Sequence, residues 1–235
     1  MTQSSPTLSP ESLETLRRQL DSTADRTRLQ ALEKLLAAGE TATLLTWLDE
    51  NHASGNLHWL AGSIYLALSA IDDLELQQQL ASRYPTGIVT LVTERGIDYE
   101  PIQQELLAGN WEEADRLTSR KLCELAGPDA LKRKWVYYTE ADTFPVGDLQ
   151  TLDRLWWVYS QGRFGFRVQK EIWLGVGQDW DQLWPKIHWK NGNTWTRYPG
   201  SFTWDLSAPR GHLPLTNQLR GVRVMSALMN HPAFA

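Results

Sequence analysis

Apolar residues recur at three- and four-residue intervals almost without a break from Glu11 to about Arg83, the spacing of one buried helical face. The pattern predicts helices over 11–20, 25–38, 40–51, 56–70 and 73–83. In the second, Leu29, Leu32, Leu35 and Leu36 share a stripe, and Gly39 stands where a left-handed C-terminal cap is expected. In the fourth, Leu57, Leu60, Ile64, Leu68 and Ile71 form another. Short helices with brief connections predict antiparallel hairpins, packed as a small bundle or as a two-helix-repeat-like stack. Residues 1–10, rich in Ser, Thr and Pro, read as a disordered lead-in.

Tyr84-Pro85-Thr86-Gly87 interrupts the helical pattern, because Pro85 disfavours helix at Tyr84 and Gly87 permits a turn. The sequence therefore divides into an N-terminal helical bundle over 11–83 and a second domain over 84–235. The short run Ile88–Val92 is either a strand or an extended crossing segment. Beyond it, Asp98 and Pro101 open a helix that ends at Gly109. Asn110 and Glu113 form a capping-box-like start for a helix running to Ala126, stopped by Gly127-Pro128. Further helices are predicted near 148–161, 167–175, 178–185 and 214–230. The run Gly127–Lys134 reads as a short loop. Between Ile187 and Leu215 no period holds, and a loop of that length is often functional. The fold class is all-α.

Charge sharpens this division. The net charge of −5 conceals nine Lys/Arg against four Asp/Glu from Arg163 onward, and fourteen against twenty-four before it. A basic C-terminal third favours an anionic ligand. Nucleic acid is excluded because the positives are dispersed and the acidic remainder would repel a polyanion. The single cysteine, Cys123, allows neither an internal disulfide nor a multi-cysteine metal site. Without a spanning apolar run or a secretory signal, a cytoplasmic monomer is expected.

Nine of the twelve tryptophans fall between Trp135 and Trp204. Trp195, Arg197, Tyr198, Phe202 and Trp204 lie within ten positions, followed by Arg210, Arg220 and Arg223. Flat rings beside guanidinium groups suit a flat apolar ligand that carries carboxylates. Some of these rings must instead pin the loop to the body, with Trp184, Trp189 and Trp204 the first candidates. Arg220 and Arg223, three apart, share a helical face and could grip carboxylates. Enzyme signatures are absent: there is no phosphate loop, dinucleotide fingerprint or nucleophile elbow. His212 could serve as an axial ligand to a metalloporphyrin, although a lone loop histidine more often does not. A haem-binding or porphyrin-modifying protein, and an aromatic-platform protein- or sugar-binding module, remain the alternatives.

Trp184-Pro185-Lys186-Ile187, Gly192-Asn193, Phe202-Thr203-Trp204-Asp205-Leu206-Ser207-Ala208-Pro209, Gly211-His212-Leu213-Pro214 and Asn217-Gln218-Leu219-Arg220-Gly221-Val222-Arg223 closely resemble the "genomes uncoupled four" family over roughly residues 84–232. The N-terminal helices resemble the extension of its cyanobacterial members. That resemblance implies a non-catalytic protein that holds no tight cofactor, binds protoporphyrin IX and Mg-protoporphyrin IX, and stimulates magnesium chelatase in chlorophyll biosynthesis through the enzyme's large porphyrin-binding subunit. Peripheral association with photosynthetic membranes is compatible with it. It further implies a groove between residues 127–134 and 187–215, with Arg220 and then Arg223 holding propionates. Tyr198, Trp195, Arg197, Phe202 and Leu213 would lie on one wall, and Asp129, Arg133 and Tyr138 on the other.

Overall fold

The computed structural model describes residues 8–55, 57–216 and 221–234. The chain divides into two compact units, Met1–Ile88 and Val89–Ala235. The first is built from α1 (Pro10–Leu20), α2 (Asp25–Ala37), α3 (Thr41–Ala53), α4 (Trp59–Ser69) and α5 (Leu74–Arg83). Each helix packs on its sequence neighbour, except that α2 also meets α4. Leu20, Leu35, Leu44, Leu48, Leu60 and Ile64 fill the core between them. Local chemistry sets the ends. Ser9 and Asp73 accept backbone N–H bonds at the starts of α1 and α5, and Gly39 closes α2 at φ +74°. The predicted lead-in lies outside the described residues as far as residue 7. Its last part is not disordered, since Ser9 caps α1 and Pro10 is that helix's first residue.

The second unit holds α6 (Glu100–Leu107), α7 (Trp111–Ala126), α8 (Pro128–Arg133), α9 (Tyr138–Ala141), α10 (Val146–Tyr159), α11 (Phe166–Gly175), α12 (Trp180–Lys186), a hairpin of β1 (Lys190–Asn191) and β2 (Thr194–Trp195), and α13 (Arg223–Asn230). In the hairpin Lys190 is opposite Trp195 and Asn191 opposite Thr194. Leu149, Leu152, Leu155 and Trp156 of α10 are fully buried, and α6 and α11 pack against that helix.

The run at 88–92 is no strand, because side chains stand in for a pairing partner. Gln103 accepts from the Val89 N–H at 3.1 Å and donates to its carbonyl at 3.4 Å. Thr151 accepts from the Val92 N–H at 3.2 Å and donates to its carbonyl at 2.8 Å. Three other expectations change. The run 127–134 is a helix, α8, rather than a loop, with Pro128 at its first turn. The capping box at Asn110 does not form: the Asn110 amide donates to Glu105 at 2.8 Å, and Glu113 is engaged by Arg116. The helix expected over 214–230 is confined among the described residues to α13, and 217–220 lie outside them. Among the described residues no helix is long and apolar enough to cross a membrane.

Candidate functional site

The aromatic residues of the long segment after α12 fall into two groups. Trp184, Trp189, Phe202 and Leu213 are buried. Trp189 donates its indole N–H to the His212 carbonyl at 2.8 Å, and Phe202 packs on the His212 ring at 5.3 Å. Phe202 and Leu213, expected to face a ligand, are therefore core residues of this segment. Trp204, expected to be core, is only half-buried. Trp195 is half-buried, with Trp184 edge-on to it at 5.6 Å and the Lys190 ammonium 5.4 Å from its ring centre. Tyr198 is 54% exposed and meets Trp204 edge-on at 5.9 Å. Partial burial, and then the charge of Asp115, raise its hydroxyl pKa. Arg197 is exposed beside it.

His212 has no ring nitrogen to spare for a metal. Its Nδ1 faces the Ile187 carbonyl at 2.6 Å, and its Nε2 accepts the Thr203 N–H at 3.2 Å. These two partners fix the neutral tautomer with Nδ1 protonated, and burial lowers its pKa. The axial-ligand role suggested by its sequence position is therefore corrected. Among the described residues, no cluster of three or more His, Cys, Asp or Glu side chains could hold a metal ion. A polar cavity of about 340 Å³ adjoins His212 and is lined also by His188, Lys190, Thr196 and Thr203. None of the expected ligand-facing rings borders it.

The wall from α8 to α9 differs in kind. Leu131, Tyr137 and Tyr138 are exposed at 39%, 46% and 40%. Arg133 stacks over Tyr137 at 4.2 Å and Trp135 at 5.1 Å. Its charge is neutralised by Glu140, which also accepts the Tyr137 N–H at 2.8 Å. Asp129 points to solvent and pairs loosely with Lys132 at 3.7 Å. Helix α13 packs on α9 and sets the exposed Arg223 guanidinium 5.4 Å from the centre of the Tyr138 ring. The structure thus brings together Arg223 and Tyr138, two of the residues expected to hold the ligand. Arg223 rests on a ring rather than on a carboxylate, so its donors stay available to an anion. Arg220 lies outside the described residues.

Two residues of this region were missed in the sequence. Glu140 carries no signal that would pair it with Arg133. Asp115, on α7, is fully enclosed and accepts the Leu215 N–H at 2.6 Å. Burial, opposed by that hydrogen bond, raises its pKa to about 7. It therefore anchors the backbone just before the segment that leads to Arg223. The signal that could have found it is its helical spacing with Trp111, Thr118 and Leu122 on a buried face of α7.

Comparison with known proteins follows the same division of the chain. Residues 92–232 match the family described as GUN4-like, and residues 4–85 match an ARM-like repeat domain described as GUN4-N terminal. A "Ycf53-like protein" of Synechocystis is 46% identical over 96% of this chain and 97% of its own length. The "Tetrapyrrole-binding protein, chloroplastic" of Arabidopsis thaliana is 37% identical over 58% of this chain and 55% of its own. Among solved structures, GUN4 from Chlamydomonas reinhardtii is 44% identical, with a TM-score of 0.59, over 63% of this chain and 96% of that one.

Proposed function

The chain belongs to the GUN4-like family, and on that premise we propose that it binds protoporphyrin IX and Mg-protoporphyrin IX and stimulates magnesium chelatase as a non-catalytic accessory protein. The observation that carries this reading is the pairing of an exposed Arg223, with no carboxylate partner among the described residues, with the exposed ring of Tyr138. A macrocycle laid on Tyr137, Tyr138 and Leu131 would bury several hundred Å² of apolar surface. At about 25 cal/mol per Å², that is on the order of 10 kcal/mol of gross driving force before association costs. Its propionates would be held at the rim by Arg223 and by Arg220, with Arg197 and Tyr198 contributing from the long segment. The enzyme's large porphyrin-binding subunit is the partner, and the protein's task is to present substrate to it or remove product from it.

The test is a tryptophan-fluorescence titration with soluble deuteroporphyrin and its magnesium complex, paired with a chelatase assay. Saturable quenching at one site, together with faster chelation in the protein's presence, is expected. Arg220→Ala should weaken quenching at unchanged melting temperature. Quenching that never saturates would remove the ligand from the account, and saturable binding without any effect on chelation would remove the partner.

A further inference from the structure

Four indoles of the C-terminal unit form a stacked column. Trp173 lies on Trp180 with ring centres 4.9 Å apart and planes at 29°, Trp180 on Trp184 at 5.3 Å and 23°, and Trp184 on Trp189 at 5.6 Å and 8°. Trp195 adds a branch, edge-on to Trp184 at 5.6 Å. Packing alone explains the choice of residue poorly. Among the described residues the buried Trp173 indole nitrogen has no hydrogen-bond partner, a penalty that phenylalanine at the same place would avoid. Indole differs from phenyl in giving up one electron readily, and ring centres less than 6 Å apart let the resulting positive charge pass from ring to ring.

We propose that this column conducts oxidising equivalents from Trp195, beside the 197–204 turn, through Trp184 to the surface at Trp180. A one-electron oxidant takes an electron from Trp195 and leaves reduced by one charge. Trp184 then reduces the Trp195 radical cation, and Trp180 reduces Trp184. No bond breaks in these steps. The interior rings keep their protons: Trp184 is 3% exposed, and the N–H of Trp189, on the side branch, faces only a backbone carbonyl. Trp180 is half-buried, so there the indole proton can pass to water, leaving a neutral radical that stays in place.

Electrostatics sets the direction. The Lys190 ammonium, 5.4 Å from the centre of the Trp195 ring, disfavours positive charge on that indole. Asp181 pairs with Lys190 at 3.4 Å, but its side chain is 86% exposed against 20% for the lysine, so water screens the carboxylate more. A unit charge at that range in water weighs about fourfold on the equilibrium. This inference stands apart from the tetrapyrrole reading, since it needs no bound ligand.

The test oxidises the full chain with azidyl radicals, made by radiolysis of an azide solution, in the presence of a nitroso-alkane spin trap. The trap adds to the indolyl radical by one C–N bond, becoming a nitroxide, and peptide mass spectrometry locates it. Trp180 should carry severalfold more label than Trp195, although both are half-buried, and Trp184→Phe should bring that ratio down towards one. Because Trp184→Phe also alters packing, Lys190→Gln gives an independent reading with the column intact, and should raise the Trp195 share by about fourfold. Label that follows exposure in the parent chain, with a ratio unmoved by either substitution, would overturn the proposal.

Discussion

The α8–α9 wall and the segment from Ile187 to Thr216 are both rich in aromatic residues, and they use them in opposite ways. The long segment sends its anchoring rings inward, Trp189 fully buried and Phe202 nearly so, while Trp195 and Trp204 stay half-buried and Tyr198 exposed. The short wall turns Tyr137 and Tyr138 outward, beside Arg223, which has no carboxylate partner among the described residues. Density of tryptophan in a sequence therefore marks a satellite core as readily as it marks a site. Exposed rings next to an unspent charge are the better marker of a binding surface.

The largest expected effect breaks the inward-facing region. Trp189→Ala should cost about 3–5 kcal/mol of stability, read as a lower urea midpoint, whereas Tyr138→Ala should leave that midpoint within error. Gly211→Ala should resemble the first, because its φ is +79° and a Cβ there would meet Ile172 Cδ1 at 2.7 Å and Ile187 Cγ2 at 3.0 Å. Equal costs at Trp189 and Tyr138 would erase the distinction between the two regions.

Next in size comes the pH response, in which the two units oppose each other. Asp115 has its pKa raised by burial from 3.8 to about 7, so the folded state binds more protons across that window. Its contribution to stability is therefore lost as pH rises from about 4 to 7. Asp115→Asn keeps an acceptor for Leu215 and should recover on the order of 4 kcal/mol at pH 8. His58, in the N-terminal unit, is lowered to about 4, first by burial and then by Arg28. Here the unfolded chain binds more protons, so stability is lost as pH falls from 6.5 towards 4. The ring of His58 accepts the Leu60 N–H at 3.1 Å, and His58→Asn should keep that cap while removing the acid loss. Thermal melts of the two variants from pH 4 to 8 check both signs, and parallel curves for parent and variants would refute them.

The N-terminal unit was legible because each helix pays its way locally: a stripe of leucines, a Ser9 or Asp73 cap, a Gly39 stop. Helices α10, α11 and α12 followed from the same periodicity. The long segment was not legible, since its order comes from distant partners, such as His212 with Ile187 and Thr203, or Asp115 with Leu215. Of the expected site, Arg223 and Tyr138 are brought together, whereas Phe202 and Leu213 are buried. Their residue types suited a ligand wall equally well, and only burial by residues remote in sequence separates them.

The smallest expected effect concerns the edge of the site. Tyr198→Phe keeps the ring and removes only the hydroxyl, so deuteroporphyrin affinity should change by less than about threefold, near 0.6 kcal/mol. A loss much greater than that, in the same quenching titration, would move the ligand from the α8–α9 wall onto the long segment.

The most direct test of the central claim is a deuteroporphyrin titration of the Tyr138→Ala, Arg223→Ala double variant against the parent. The account predicts a loss of affinity of about tenfold or more, as expected when a hydrogen-bonded charge and a stacking ring are removed together, with the melting temperature unchanged. Equal affinity in the two proteins would contradict it and leave the outward-facing wall without its ligand.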